Sequence, residues 1–325
     1  LSPRTDIGVL DTINYTARNA FATRIKHQFT ETSGVMAAYT GLREDGAAND
    51  GTFLMYFDQR GPFQMYAQHS ATRDSDEGYG QRYNVGTAYS ADSTNGWFEY
   101  VEVSPHYLPR LGFAPETDYK GFTGGMEALI PQAKGPLLDK LFAFNAHTFR
   151  TTSGDPYRVG GEVVAGLTTR KDSTMVAGAL TYERINGFDD RIWTIQTTRP
   201  RNNPYRNVLL QHSQGRIQGG DFAQSMLAVK YRPIQPMQLT LTASRLKLGA
   251  TEQTQVIGNL AYDLGNDRSL VGRVVRSDSK TNAYLSYRRA GNAGMEYFVI
   301  VGDPNAESTR SAVVVKLVMP FEFKR

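Results

Sequence analysis

The segment Gln211-His-Ser-Gln-Gly-Arg216 holds the residue types that acyl transfer needs, a hydroxyl nucleophile beside an imidazole base. Its spacing argues against that use. Neighbours on a strand point to opposite faces, so His212 reaches Ser213 only through a bulge. His69-Ser70 has the same defect. The five histidines (His27, His69, His106, His147, His212) include no i,i+2 or i,i+4 pair and read as dispersed polar residues. Asp74, Asp76 and Glu77 offer carboxylates, but they fall short of the roughly six to eight oxygen ligands that calcium takes, so a solvated loop is the better reading. Cysteine is absent. That excludes a disulfide scaffold, a thiolate zinc or iron–sulfur site and Cys-x-x-Cys-His haem attachment. No catalytic residue, metal or cofactor is expected.

The elements that would position any such group are strands. Met237, Leu239, Leu241 and Ala243 alternate with Gln238, Thr240, Thr242 and Ser244, and Ala283, Leu285 and Tyr287 with Asn282, Ser286 and Arg288. Strict period-two alternation makes a ribbon with one apolar face. The rhythm, about ten residues and then a turn, repeats along the chain. Connections fall into a short set, such as Arg60-Gly61, and a longer polar set, such as 44–51, 73–80 and 302–311. The segment 191–207 is hard to parse. An all-β fold is predicted, a transmembrane up-and-down antiparallel barrel of about 18–20 strands, even in number, forming a single domain over 1–325. The chain has 325 residues and no run near the roughly 18 apolar residues of a spanning helix. Barrel strands spend only alternate residues on lipid, so modest hydropathy fits.

The last stretch is the clearest strand. Val313, Val315, Leu317, Met319, Phe321 and Phe323 share one side and should face lipid, while Lys316 and Glu322 share the other with Val314 and Val318. Arg24, Lys26, Arg82, Lys230, Arg273, Arg288, Lys316 and Glu322 are the expected lumen-facing charges. Their cationic excess would favour anionic solutes. Trp97, Tyr100, Tyr231, Tyr262 and Tyr287 are read as an aromatic girdle at the membrane interfaces. The net charge of +4 is dispersed, so nucleic acid is not an expected partner.

One connection is long and unusual: Val103-Ser-Pro-His-Tyr-Leu-Pro-Arg-Leu-Gly-Phe-Ala-Pro-Glu-Thr-Asp-Tyr-Lys-Gly121. It resembles the Leu-Gly-Phe-x-x-x-x-Asp-Tyr segment in the barrel half of an outer-membrane family that usually carries an N-terminal carbohydrate-binding-family-9-like domain. Asp6-Ile-Gly-Val-Leu-Asp-Thr12, Tyr83-Asn-Val-Gly-Thr-Ala-Tyr89, Ser277 to Arg288 and Val314 to Phe321 are similar in order and spacing. The resemblance implies an outer-membrane barrel and carries over no catalytic or ligand residue. Set against that family, the sequence lacks the N-terminal periplasmic domain and the first strands before Asp6, which makes it either part of a longer chain or a short relative. The 211–216 segment is also reminiscent of the His-x-Ser-x-Gly-Arg motif of outer-membrane phospholipase.

The function expected is a pore or passive channel for small polar solutes in the bacterial outer membrane. The alternatives are a scaffold or sheath for a lipoprotein, export component or cytochrome, and a barrel lipid hydrolase. Expected partners are outer-membrane lipid and lipopolysaccharide, the barrel-assembly machinery during insertion, and a periplasmic or surface protein. Val314 and Val318 interrupt a polar inner face, so the lumen near them should be packed.

Overall fold

The computed structural model describes residues 4–13, 18–44, 46–111, 116–291, 295–304, 306 and 308–318. Every long regular element among them is a strand. In chain order these are β1 (Thr5–Ile13), β2 (Arg18–Gln28), β3 (Ser33–Glu44), β4 (Ala47–Arg60), β5 (Phe63–Asp74), β6 (Gly78–Ala91), β7 (Thr94–Val103), β8 (Tyr119–Pro131), β9 (Leu137–Arg150) and β10 (Pro156–Thr169). The second half holds β11 (Met175–Ile185), β12 (Phe188–Arg199), β13 (Asn207–Ile217), β14 (Gly220–Tyr231), β15 (Met237–Leu248), β16 (Thr251–Gly265), β17 (Arg268–Ser277), β18 (Lys280–Ala290), β19 (Glu296–Val301) and β20 (Val313–Val318). All belong to one twenty-stranded meandering sheet. No helix is long and apolar enough to cross a membrane among the described residues.

The connections are tighter than the sequence suggests. Two stretches read as long polar loops, 44–51 and 73–80, are hairpins in which the strands run almost to the turn. Gly46 and Gly78 both sit at φ +84° there, a left-handed conformation that glycine adopts without steric cost. The connection between β7 and β8 is described over 104–111 and 116–118. The ambiguous 191–207 stretch resolves into the end of β12, a turn and the start of β13.

Two compact bodies make up the chain. The first comprises 1–130, 141–164 and 181–189, the second 131–140, 165–180 and 190–325. In the first, β1 to β8 pair consecutively and antiparallel. In the second, β12 to β20 do the same.

Register carries each face from strand to strand, because directly paired residues point the same way. In the second body one row runs Leu241↔Gly258, Gly258↔Val274, Val274↔Ala283. The row beside it runs Thr240↔Asn259, Asn259↔Arg273, Arg273↔Tyr284. The first body repeats this: Leu54↔His69↔Tyr83 on one face, Phe53↔Ser70↔Arg82 on the other.

Burial on these faces is inverted relative to a soluble protein. Ser70, Thr72, Asn84, Thr168, Ser213 and Asn282, all on the polar face, are under 9% exposed. Leu180, Val313 and Val315, on the apolar face, are 69%, 70% and 74% exposed. A chain that hides hydroxyls and amides and displays branched aliphatics is built for a surrounding that is itself apolar. The apolar face is also bounded. On β12 it lies between Arg191 and Arg199, and on β17 between Arg268 and Arg276. Eight residues at a strand rise of 3.3 Å span about 26 Å, close to the roughly 25 Å apolar band of outer-membrane barrels.

Candidate functional site

Residues 104–111, in the connection after β7, bend onto the polar face of the first body. Asn49 and Asp74 are direct partners across β4 and β5 on that face. Asn49 donates to Leu108 O at 2.8 Å and accepts from Arg110 N at 3.2 Å. Leu108 N donates to Thr72 Oγ1 at 3.0 Å. Arg110 reaches Asp74 with Nε at 2.7 Å, and Asp76 with its other arm at 3.1 Å. The Asp74 side chain is fully buried and also accepts from Asn49 Nδ2 and the Asp76 and Glu77 amides. The solvated acidic loop predicted at Asp74 is therefore corrected: its carboxylate is the buried anchor of this connection. Gly80 makes room for the approach, since a Cβ there would lie 2.2 Å from Tyr107 N. Tyr107 packs with Val101, Val103 and Tyr119.

The motif end of the connection is pinned as well. Asp118, at φ +60°, accepts from the Thr152 hydroxyl and from Thr152 N at 3.2 Å. Lys120 Nζ donates to Thr152 O at 2.9 Å. Tyr119 stacks on Tyr157 at 5.8 Å and meets Phe149 edge-on. Gly112, Phe113 and the two residues after them lie outside the described residues.

Further along the same face, the first body gathers charges of both signs. Glu99 accepts from the Tyr66 hydroxyl and, with the amide turned to donate, from Asn84 at 2.8 Å. Glu183 pairs with Arg158, and His147 Nε2 lies 3.7 Å from it. Arg158 is 3.7 Å from Glu116. Half-buried charges are tolerated when paired in this way. No group of three or more His, Asp or Glu able to hold a metal ion occurs among the described residues.

Register puts Arg24, Lys26 and Arg82 on the polar face of the first body, and Lys230, Arg273, Arg288 and Lys316 on that of the second. Several are engaged rather than forming an open cationic field: Arg24 with Asp6 at 2.8 Å, Arg288 with Glu296, and Lys26 and Lys316 over the Phe57 and Phe298 rings. Val313, Val315 and Leu317 share the apolar face with Val301, Val299 and Tyr297. Glu322, Met319, Phe321 and Phe323 lie outside the described residues. Tyr100, Tyr231, Tyr262 and Tyr287 are on the apolar face. Trp97 is not: three residues from Tyr100 on a regular strand, it takes the opposite side, and its ring covers Gly125.

His212 and Ser213 part as expected. Ser213 is buried on the polar face, its Oγ 2.9 Å from Thr194 Oγ1. His212 is on the apolar face, where its direct cross-strand partner is Ser225. Nδ1 and Oγ lie 2.9 Å apart, and Ser225 in turn is paired with Arg245. Sequence reasoning missed Ser225 because the pair exists only through the hairpin. A turn centred on Gln218-Gly219 makes 212 and 225 opposite, which was the available signal.

An up-and-down antiparallel meander with one continuous apolar face and a buried polar one is the fold of an outer-membrane β-barrel. Comparison with one solved structure agrees in fold. The siderophore receptor PirA from Pseudomonas aeruginosa superposes with a TM-score of 0.62 at 11% identity, over 91% of this chain and 71% of that one. The P pilus usher (PapC) translocation pore matches at a TM-score of 0.37 and 8% identity, over 86% of this chain and 58% of that one. No family model and no curated protein matches the chain.

Proposed function

We propose that this protein is an outer-membrane channel for small polar solutes, with a conduit lined by the polar face and narrowed by the segment 104–111. The observation that carries the reading is the inverted burial. Paired charges and hydroxyls suit a hydrated lining, and the exposed aliphatic face suits lipid and lipopolysaccharide. Because the lining cations Arg24, Arg158 and Arg288 are matched by Asp6, Glu183 with Glu116, and Glu296, ion selectivity is weak. Single-channel recording in planar bilayers tests this. Discrete steps that enlarge in Arg110→Ala support it. Silence of both proteins, with a periplasmic or surface protein co-purifying, would replace the channel by a scaffold.

A second reading, lipid hydrolysis, is favoured by one contact, the His212–Ser225 pair on the lipid-facing side. Ser225 Oγ would attack an acyl ester while His212 takes its proton and returns it to the leaving alcohol; water, deprotonated by the same His212, would then hydrolyse the acyl-Ser225 ester, releasing the fatty acid and restoring the Ser225 hydroxyl. Fatty-acid release from phospholipid vesicles, lost in Ser225→Ala and retained in Ser213→Ala, is the expected signature. Equal release by all three proteins rejects it.

A further inference from the structure

The second body carries, on its apolar face, a furrow that leads to a pair of fixed arginines. The furrow starts with two glycines. Gly258 is paired with Leu241 and Val274, and Gly272 with Leu260 and Leu285. A Cβ at Gly258 would meet nothing within 4 Å, so the missing side chain leaves real space. Together they open a cavity of about 570 Å³ walled by Val229, Leu241, Leu260 and Val274, with Tyr231 at one end.

At that end the turns after β12 and β14 present a ladder of cations and rings. The Arg206 guanidinium lies 5.6 Å from the Tyr231 ring centroid, and that of Arg232 lies 4.4 Å from Tyr205. Both are held by backbone carbonyls. Arg206 donates twice to Arg232 O, at 3.2 and 3.0 Å, and Arg232 Nε donates to Gln235 O at 2.6 Å. The turn itself is locked by Asn203, whose side-chain oxygen accepts from the Tyr205 and Arg206 amides at 3.0 Å each. Two more arginines, Arg268 and Arg289, face each other directly across β17 and β18 at the same end of the strands. Like charges directly opposed destabilise a sheet, and an anion between them removes that cost.

We infer that this is a binding site for one anionic phospholipid. Its phosphate sits at Arg206 and Arg232, and one acyl chain lies past Tyr231 in the Gly258/Gly272 furrow. The chemistry is that of a phosphate diester: a guanidinium offers two parallel donors to two oxygens. An apolar trough continuous with the anchor selects a lipid over a soluble phosphate. The bracketing of the apolar band by arginines puts the anchor at headgroup depth.

The test is native mass spectrometry of the delipidated full chain in nonionic detergent, titrated with long-chain phosphatidylglycerol, long-chain phosphatidylcholine, short-chain phosphatidylglycerol and inorganic phosphate. One long-chain phosphatidylglycerol should bind about tenfold more tightly than phosphatidylcholine, and Arg206→Gln with Arg232→Gln should weaken it roughly thirtyfold. Gly258→Leu fills the furrow from a position where an added Cβ meets nothing within 4 Å. It should weaken the long-chain lipid and leave the short-chain one unchanged. Equal binding of the two long-chain headgroups overturns the proposal. So does indifference to Gly258→Leu, or inorganic phosphate binding as tightly as the lipid, which would leave an anion site without a lipid. A cold-gel mobility shift on heating checks that each variant is folded.

Discussion

Asp74 shows how much one residue's surroundings decide. In sequence it heads an acidic run with no partner in view. In the fold it is buried beneath Arg110, thirty-six residues away in the chain. Arg110→Ala would leave a buried carboxylate without its cation, a loss of about 1–3 kcal/mol in the local anchoring of the connection. We expect chymotrypsin to cut after Tyr107 in that variant and to spare the parent, and equal resistance would show that the anchor lies elsewhere. Asp172, in the turn after β10, gives a pH signature. The Thr169 hydroxyl first, then Thr174 and the nearby Arg199, hold its carboxyl below the ordinary value of 3.8. A depressed folded value means the turn gains stability above the ordinary value and loses it as the pH falls through the lowered one. Exchange of the Thr174 amide, corrected for intrinsic rate, should accelerate as the pH falls below the ordinary carboxyl value of 3.8 and become pH-independent in Asp172→Asn. The reading of His212 belongs here too: its separation from Ser213 follows from strand geometry alone, whereas Ser225 requires knowing where the hairpin turns.

At the scale of elements, the alternation carried most of the information. Leu239, Leu241 and Ala243 against Thr240, Thr242 and Ser244 defined β15 and its faces before any register was known, because a period of two leaves only two choices. Strand ends were less legible. Gly46 and Gly78 tighten turns that composition alone makes look like loops, and the course of 104–111 depends on partners in β4 and β5 that no local pattern announces. Trp97 and Tyr100 could have been separated from spacing, since an odd offset on a strand means opposite faces. The face assignment predicts an asymmetry. Leu241→Arg should destabilise the folded form by about 2–4 kcal/mol in lipid, while Thr242→Arg, its neighbour, should cost far less. Urea titration in lipid vesicles measures both, and similar costs would reject the assignment. Glycines separate in the same way. A Cβ at Gly215 would lie 1.9 Å from Arg191 O, so Gly215→Ala should cost about 1–3 kcal/mol by overpacking. Gly258→Ala, in open space, should be near neutral in the same titration.

For the molecule as a whole, the likeness to PirA supports the barrel fold, and the inverted burial supplies the physical reason for it. A polar interior cannot drive collapse in water, so the free energy of folding comes from moving the aliphatic face into lipid while the sheet satisfies its own amides. Composition hinted at this only by permission: 40% hydrophobic residues is ordinary for a soluble protein, and only their placement on alternate positions makes them a membrane surface.

The arginines that end the apolar face on β12 and β17 have one more consequence. They act as a ruler. A bilayer thicker than the interval between them must either thin around the protein or drag guanidinium groups into hydrocarbon. The protein should therefore sort by membrane thickness, inserting quickly into short-chain vesicles and slowly, or not at all, as the acyl chains lengthen.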